Sequence, residues 1–185
     1  MNMGKRFLIT LLSLFLLAGS AFAYDNPRWF TMPISVYIEK NNDTETVAKA
    51  FKAWQSSSGG ALRFLYRSSK NFENISNITV TFVDMLPDGS LYKVTPIYSV
   101  VSRAHRNTGK GFFYKNQVVI ARKTINGKAL TSTQIYAIAL RAAGEAVGVK
   151  PVDNSAAIMS NTSNGLGSRT VTKSDISALN KTYKK

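Results

Sequence analysis

The sequence predicts an α+β fold, a mixed, twisted sheet of about five strands with two long helices and a C-terminal helix packed on it. Three observations point there. Ile34–Ile38 and Ile78–Val83 alternate as strands do, whereas Val47, Ala50, Phe51 and Trp54 recur at helical spacing. A second helical pattern fills 131–148, and a third runs from about Thr172 to Tyr183. The order is strand, helix, three or four strands, helix, long loop, helix.

The chain opens with the parts of a secretion signal. Lys5 and Arg6 form a short cationic start, Phe7 to Ala18 is an apolar run, and Ala21-Phe22-Ala23 is the small-x-small pattern that signal peptidases cut. That run is shorter than the roughly 20 apolar residues of a membrane span, and no later segment is apolar enough to be one. The expected organisation is a signal peptide at 1–23 and one domain at 24–185, exported to the periplasm or the extracellular space. There is no cysteine, so the fold rests on packing without disulfides, and thiolate metal sites are excluded. Two of the 24 bases and none of the 10 acids lie in the leader, so the following domain has 22 bases and a net charge of +12. Such a charge draws anionic partners. The bases are scattered, and no nucleic-acid recognition motif accompanies them.

Taken in order, Ile34–Ile38 is the first strand, and Asn42-Asp43-Thr44 offers caps for a helix that Ser56–Gly60 ends. Leu62–Tyr66 and Ile78–Val83 are the next strands, and Asp84–Ser90 is a turn-rich loop. Leu91–Gly111 is the least patterned stretch, with Ile97–Ser102 as its strand. Phe112–Ala121 reads as one or two strands about Lys115-Asn116, with Val118, Val119 and Ile120 inward. Thr131-Ser132-Thr133 starts the central helix, which ends at Gly148. Loop follows from Pro151 to Ser168, and Thr172 or Ser174 caps a final helix with Ile176, Leu179 and Tyr183 on one face.

The central helix is the most informative element. Projected at about 100° per residue, Ile135, Ile138, Ala139, Ala142 and Ala146 fill one side. Leu140, Ala143 and Val147 cover much of the other. Gln134, Arg141 and Glu145 fall in one narrow polar stripe, which either meets solvent or lines a cleft. Arg141 and Glu145, four residues apart, can pair there.

The segment Ile138-Ala-Leu-Arg-Ala-Ala-Gly-Glu-Ala-Val-Gly148-Val, followed by Ala157-Ile158-Met159, resembles the active-site helix and Met-turn of the matrixin-type zinc proteases of the metzincin group. The stretches Trp29–Ile38, Ala50–Trp54, Ile78–Asp84 and Thr172–Tyr183 are similar to that family's opening strand, following helix, next strand and closing helix. The resemblance covers nearly all of the domain and implies a zincin-like fold. Family members carry His-Glu-x-x-His-x-x-Gly-x-x-His, in which the histidines hold zinc and the Glu activates water. Here Arg141 stands at the first ligand position, Ala142 at the catalytic Glu and Glu145 at the second ligand position. Pro151 stands at the third, allowing a residue or two of slack in the loop. The helix-ending glycine (Gly148) and the Met-turn methionine (Met159) are kept.

Catalytic zinc wants about three His, Cys or carboxylate ligands, and the domain holds one histidine, His105, in a basic Arg103–Arg106 cluster. Glu145 and Asp153 are the local carboxylates, and Arg141 sets a positive charge where a metal would sit. No phosphate loop and no local Ser-His-Asp arrangement is present. The expectation is an exported pseudoenzyme with no cofactor. It would bind a peptide or protein along an edge strand near Phe112–Ile120, or an anionic cell-envelope polymer, through a site at Gln134, Arg141 and Glu145. The alternative is a secreted hydrolase with an atypical, carboxylate-containing zinc site around Glu145.

Overall fold

The structure, a computed structural model, describes residues 27–98, 112–161 and 170–183. The expected leader, the Arg103–Arg106 cluster with His105, and positions 99–102 of the expected Ile97–Ser102 strand lie outside the described residues.

The elements are β1 (Arg28–Trp29), β2 (Ile34–Ile38), α1 (Thr44–Ser57), β3 (Phe64–Arg67), β4 (Ile78–Val83), β5 (Tyr92–Tyr98), β6 (Phe112–Ala121), α2 (Ser132–Ala146) and α3 (Lys173–Tyr183). The fold is α+β, with a six-stranded, mostly parallel sheet and three α-helices among the described residues. β3, β2, β4 and β6 are parallel neighbours in that order, and β5 pairs antiparallel with β6. β1 adds two residues parallel to β6.

Alternation along the strands sends Ile34, Val36, Ile38, Ile78, Val80, Val118 and Ile120 into one core with the apolar faces of α1 and α2. At roughly 25 cal/mol per Å2 of apolar surface, this burial is the main stabilising term in a chain without disulfides. The two helices touch closely. Trp54 Nε1 donates to the Leu140 carbonyl at 2.7 Å, and a Cβ at Gly144 would lie 2.5 Å from Trp54 Cζ2 and 2.7 Å from Met159 Sδ. Only glycine fits at that crossing.

Phe112–Ala121, expected as one or two strands, is a single ten-residue strand, and Asn116 is fully buried within it. Register explains this, since Val36, Ile78, Asn116 and Pro96 form one row across the sheet. Against expectation, β6 is flanked by β4 and β5, so it is no edge on which a peptide could add; among the described strands β1, β3 and β5 each have a single neighbour. Finally, the strand before β6 begins at Tyr92 instead of Ile97. Lys93 and Pro96 blur its pattern, and an outer strand tolerates the proline's missing N–H. No helix among the described residues is long and apolar enough to cross a membrane.

Candidate functional site

α2 is fixed at both ends by local chemistry. At its start Thr131 and Gln134 form a capping box. Gln134 Oε1 accepts from the Thr131 N–H at 2.9 Å, and Thr131 Oγ1 accepts from the Gln134 N–H at 3.3 Å. This corrects the expected grouping, because Gln134 is spent on the cap about three turns from Glu145. At the other end Gly148 takes φ +88°, and a side chain there would strike the Pro27 carbonyl.

The chain then reverses. Val152 N–H donates to the Met159 carbonyl at 2.8 Å, which closes a turn that seats buried Met159 beneath α2. Asp175, in the first turn of α3 and fully buried, holds that turn. Its Oδ1 accepts from Met159 N–H at 2.9 Å, and its Oδ2 from Ile158 N–H at 3.2 Å. The same Oδ2 accepts from the Thr172 N–H at 2.8 Å and hydroxyl at 2.7 Å, so Thr172 caps α3.

A cleft of about 310 Å3 opens where α2, this turn and β5 meet. Arg141, Glu145, Gly148, Pro151 and Met159 all line it, so these five positions carried over from the protease motif converge. Pro27, Val94, Pro96 and Phe113 make its remaining walls chiefly apolar. Ala142, which the resemblance sets at the catalytic Glu, does not line the cleft; it is buried in the core. Asp153 lies outside the cleft too, exposed and bonded to Asn161.

Arg141 and Glu145 do not pair directly, contrary to the expected ion pair. Tyr92, projecting from β5, stands between them. Arg141 Nε donates to the Tyr92 hydroxyl at 3.0 Å, and that hydroxyl donates to Glu145 Oε2 at 2.9 Å. Arg141 Nη1 donates to the carbonyls of Ile158 and Ser160, both at 2.8 Å. The guanidinium therefore ties helix, strand and turn together. Burial pushes the Tyr92 phenol up to about 12, and the Glu145 carboxylate adds to the rise while Arg141 opposes it.

Besides Lys150, Asn116 is the other polar residue lining the cleft. Its Nδ2 donates to the Ala146 carbonyl at 2.6 Å, where Trp29 Nε1 also donates at 3.0 Å. The acceptor at Ala146 fixes which way the amide faces. Asn116 Oδ1 is consequently a buried acceptor with no partner among the described residues. Neither Tyr92 nor Asn116 stood out in the sequence. The one available signal was that Asn116 shares strand parity with Val118 and Ile120, which marks an inward position.

The donor set does not suit zinc. Glu145 is the single carboxylate at the cleft, and no group of three or more His, Cys, Asp or Glu side chains comes together among the described residues. No protein-family model matches the chain, and no curated protein matches it.

Proposed function

We propose that this chain is an exported, catalytically inactive relative of the matrixin-type metalloproteases, zincin-like in fold, that acts by binding a peptide or protein segment. The observation that carries the reading is the Arg141 network. A guanidinium at the first ligand position, bonded to Tyr92, Ile158 and Ser160, takes over by hydrogen bonds the bridging that a metal would otherwise supply. The order of strands and helices supports the resemblance, as do the left-handed Gly148 and the buried Met159 under α2. The apolar walls and the unpartnered Asn116 Oδ1 suit a chain segment that offers an N–H and a modest apolar side chain, since a buried acceptor left alone costs about 1–3 kcal/mol. The signal-like first 23 residues support the export reading.

Two measurements test it. Metal analysis of purified protein should give no bound zinc after dialysis, and casein should stay intact. Peptides selected from a random library should shift the NMR signals of Val94, Asn116 and Glu145. Zinc retained at one per chain, with chelator-sensitive cleavage lost on Glu145→Ala, would establish the hydrolase alternative and overturn the proposal.

A further inference from the structure

We infer a second ligand site, on the opposite edge of the sheet, for a small anionic amphiphile. A cavity of about 640 Å3 lies against α1 at the carboxyl ends of the parallel strands β2 and β3. It does not depend on the protease-like reading of the cleft, and no residue lines both.

The composition of its wall carries the inference. Val36, Ile38 and Ala48 make an apolar floor, with the half-buried Tyr66 ring beside it. Lys40 and Lys52 stand at the rim, and no carboxylate lines the cavity. The neighbouring acids in sequence, Glu39, Asp43 and Glu45, are not part of the wall, and Glu39 is turned to the N–H of Phe82.

Among the described residues neither lysine is in an ion pair, and the ion pairs there are those of Asp84 with Arg122 and Lys123. Lys52 Nζ lies 5.7 Å from the Tyr66 ring centroid, whereas Arg67, next along β3, turns to the other face of the sheet and stacks on Phe72 at 4.8 Å. The ring contact holds the Lys52 charge in place without neutralising it. The result is two uncompensated positive charges over an apolar floor, in a cavity within the usual size of a small-molecule site. Crevices at the carboxyl ends of parallel strands are the common ligand position in such sheets.

The matching ligand has a carboxylate or phosphate head and a short apolar tail, with the head on Lys40 and Lys52 and the tail along Ile38, Ala48 and the Tyr66 ring. Free fatty acids and anionic membrane lipids share that chemistry.

The test is calorimetric titration of the full-length protein with decanoate, with neutral decanol and inorganic phosphate in parallel. Decanoate should bind at least about tenfold more tightly than either, because head and tail each contribute. The double variant Lys40→Gln/Lys52→Gln should weaken decanoate by about tenfold or more, while Lys128→Gln, remote and exposed, should not. Thermal melts check that both variants fold. Flotation with phosphatidylglycerol vesicles separates the sources: decanoate binding without flotation assigns the site to free acids, and flotation lost in the double variant assigns it to the membrane lipid. Equal binding of decanoate and decanol, or equal decanoate binding by wild type and folded double variant, overturns the inference.

Discussion

Tyr92 links a cation and an anion through one hydroxyl, and two consequences follow at the scale of that residue. Tyr92→Phe leaves Arg141 Nε and Glu145 Oε2 without their shared partner, which should cost about 1–2 kcal/mol in chemical denaturation at neutral pH. The second consequence is a pH dependence. The phenol's ordinary value is 10.0, and burial, reinforced by Glu145, lifts it to about 12 in the folded chain. Below pH 10 both states keep the proton, and the stabilisation is complete. Between 10 and 12 the unfolded chain has released a proton that the folded chain retains, so stability falls as pH rises through that window. Tyr66, raised to about 12 by burial, adds to the same decline. Tyr92→Phe should therefore lose less stability than wild type across that interval. Parallel declines would remove Tyr92 from the account.

At the scale of elements, the turn under α2 depends on α3 through a single carboxylate. Asp175→Asn keeps one acceptor but sets an amide donor against the N–H of either Ile158 or Met159. A loss of about 2–4 kcal/mol is expected, because at least one buried N–H goes unsatisfied and the Thr172 cap weakens with it. Hydrogen exchange should quicken at Ile158 and Met159 before it does in β4, whereas a uniform rise would mean that the turn is held by packing instead. The same elements show what the sequence made legible. β2, β4 and α1 were readable because alternation and helical spacing are local properties, and the α2 boundaries because Thr131 and Gly148 act on their own neighbours. β5 was not, since its inward residues are Tyr92, Val94 and Pro96, and only pairing with β6 makes them a face. The candidate site divides likewise. Arg141, Glu145 and Gly148 followed from spacing along one helix, and Pro151 and Met159 from the resemblance alone, whereas Tyr92 and Asn116 arrive from strands whose register no local pattern specifies. Gln134 was assigned to the stripe by angle alone, which ignores the three turns of helix between it and Glu145.

For the whole molecule, the proposed ancestry makes a claim about convergence. α2 supplies Arg141 and Glu145 one turn apart, Gly148 reverses the chain to bring Pro151 across, and the Met159 turn closes the space below. If that arrangement is a metalloprotease scaffold whose ligands have been replaced, returning imidazoles to the three positions should restore a metal site. The triple variant Arg141→His/Glu145→His/Pro151→His offers three nitrogens, the complement that an open zinc site uses. It also removes the guanidinium whose charge opposes a cation. The variant should retain about one zinc per chain through dialysis, and a chelator should strip it. Its stability should rise by about 2.7 kcal/mol at a free zinc concentration near 100 times Kd. A companion with Gln134→His in place of Glu145→His keeps the histidine count but moves one imidazole to the capped end of α2, outside the cleft. It should bind zinc far more weakly. Folded triple variant that holds no zinc, or a companion that holds it equally well, would mean that the three positions do not converge as a ligand set and that the resemblance stops at element order.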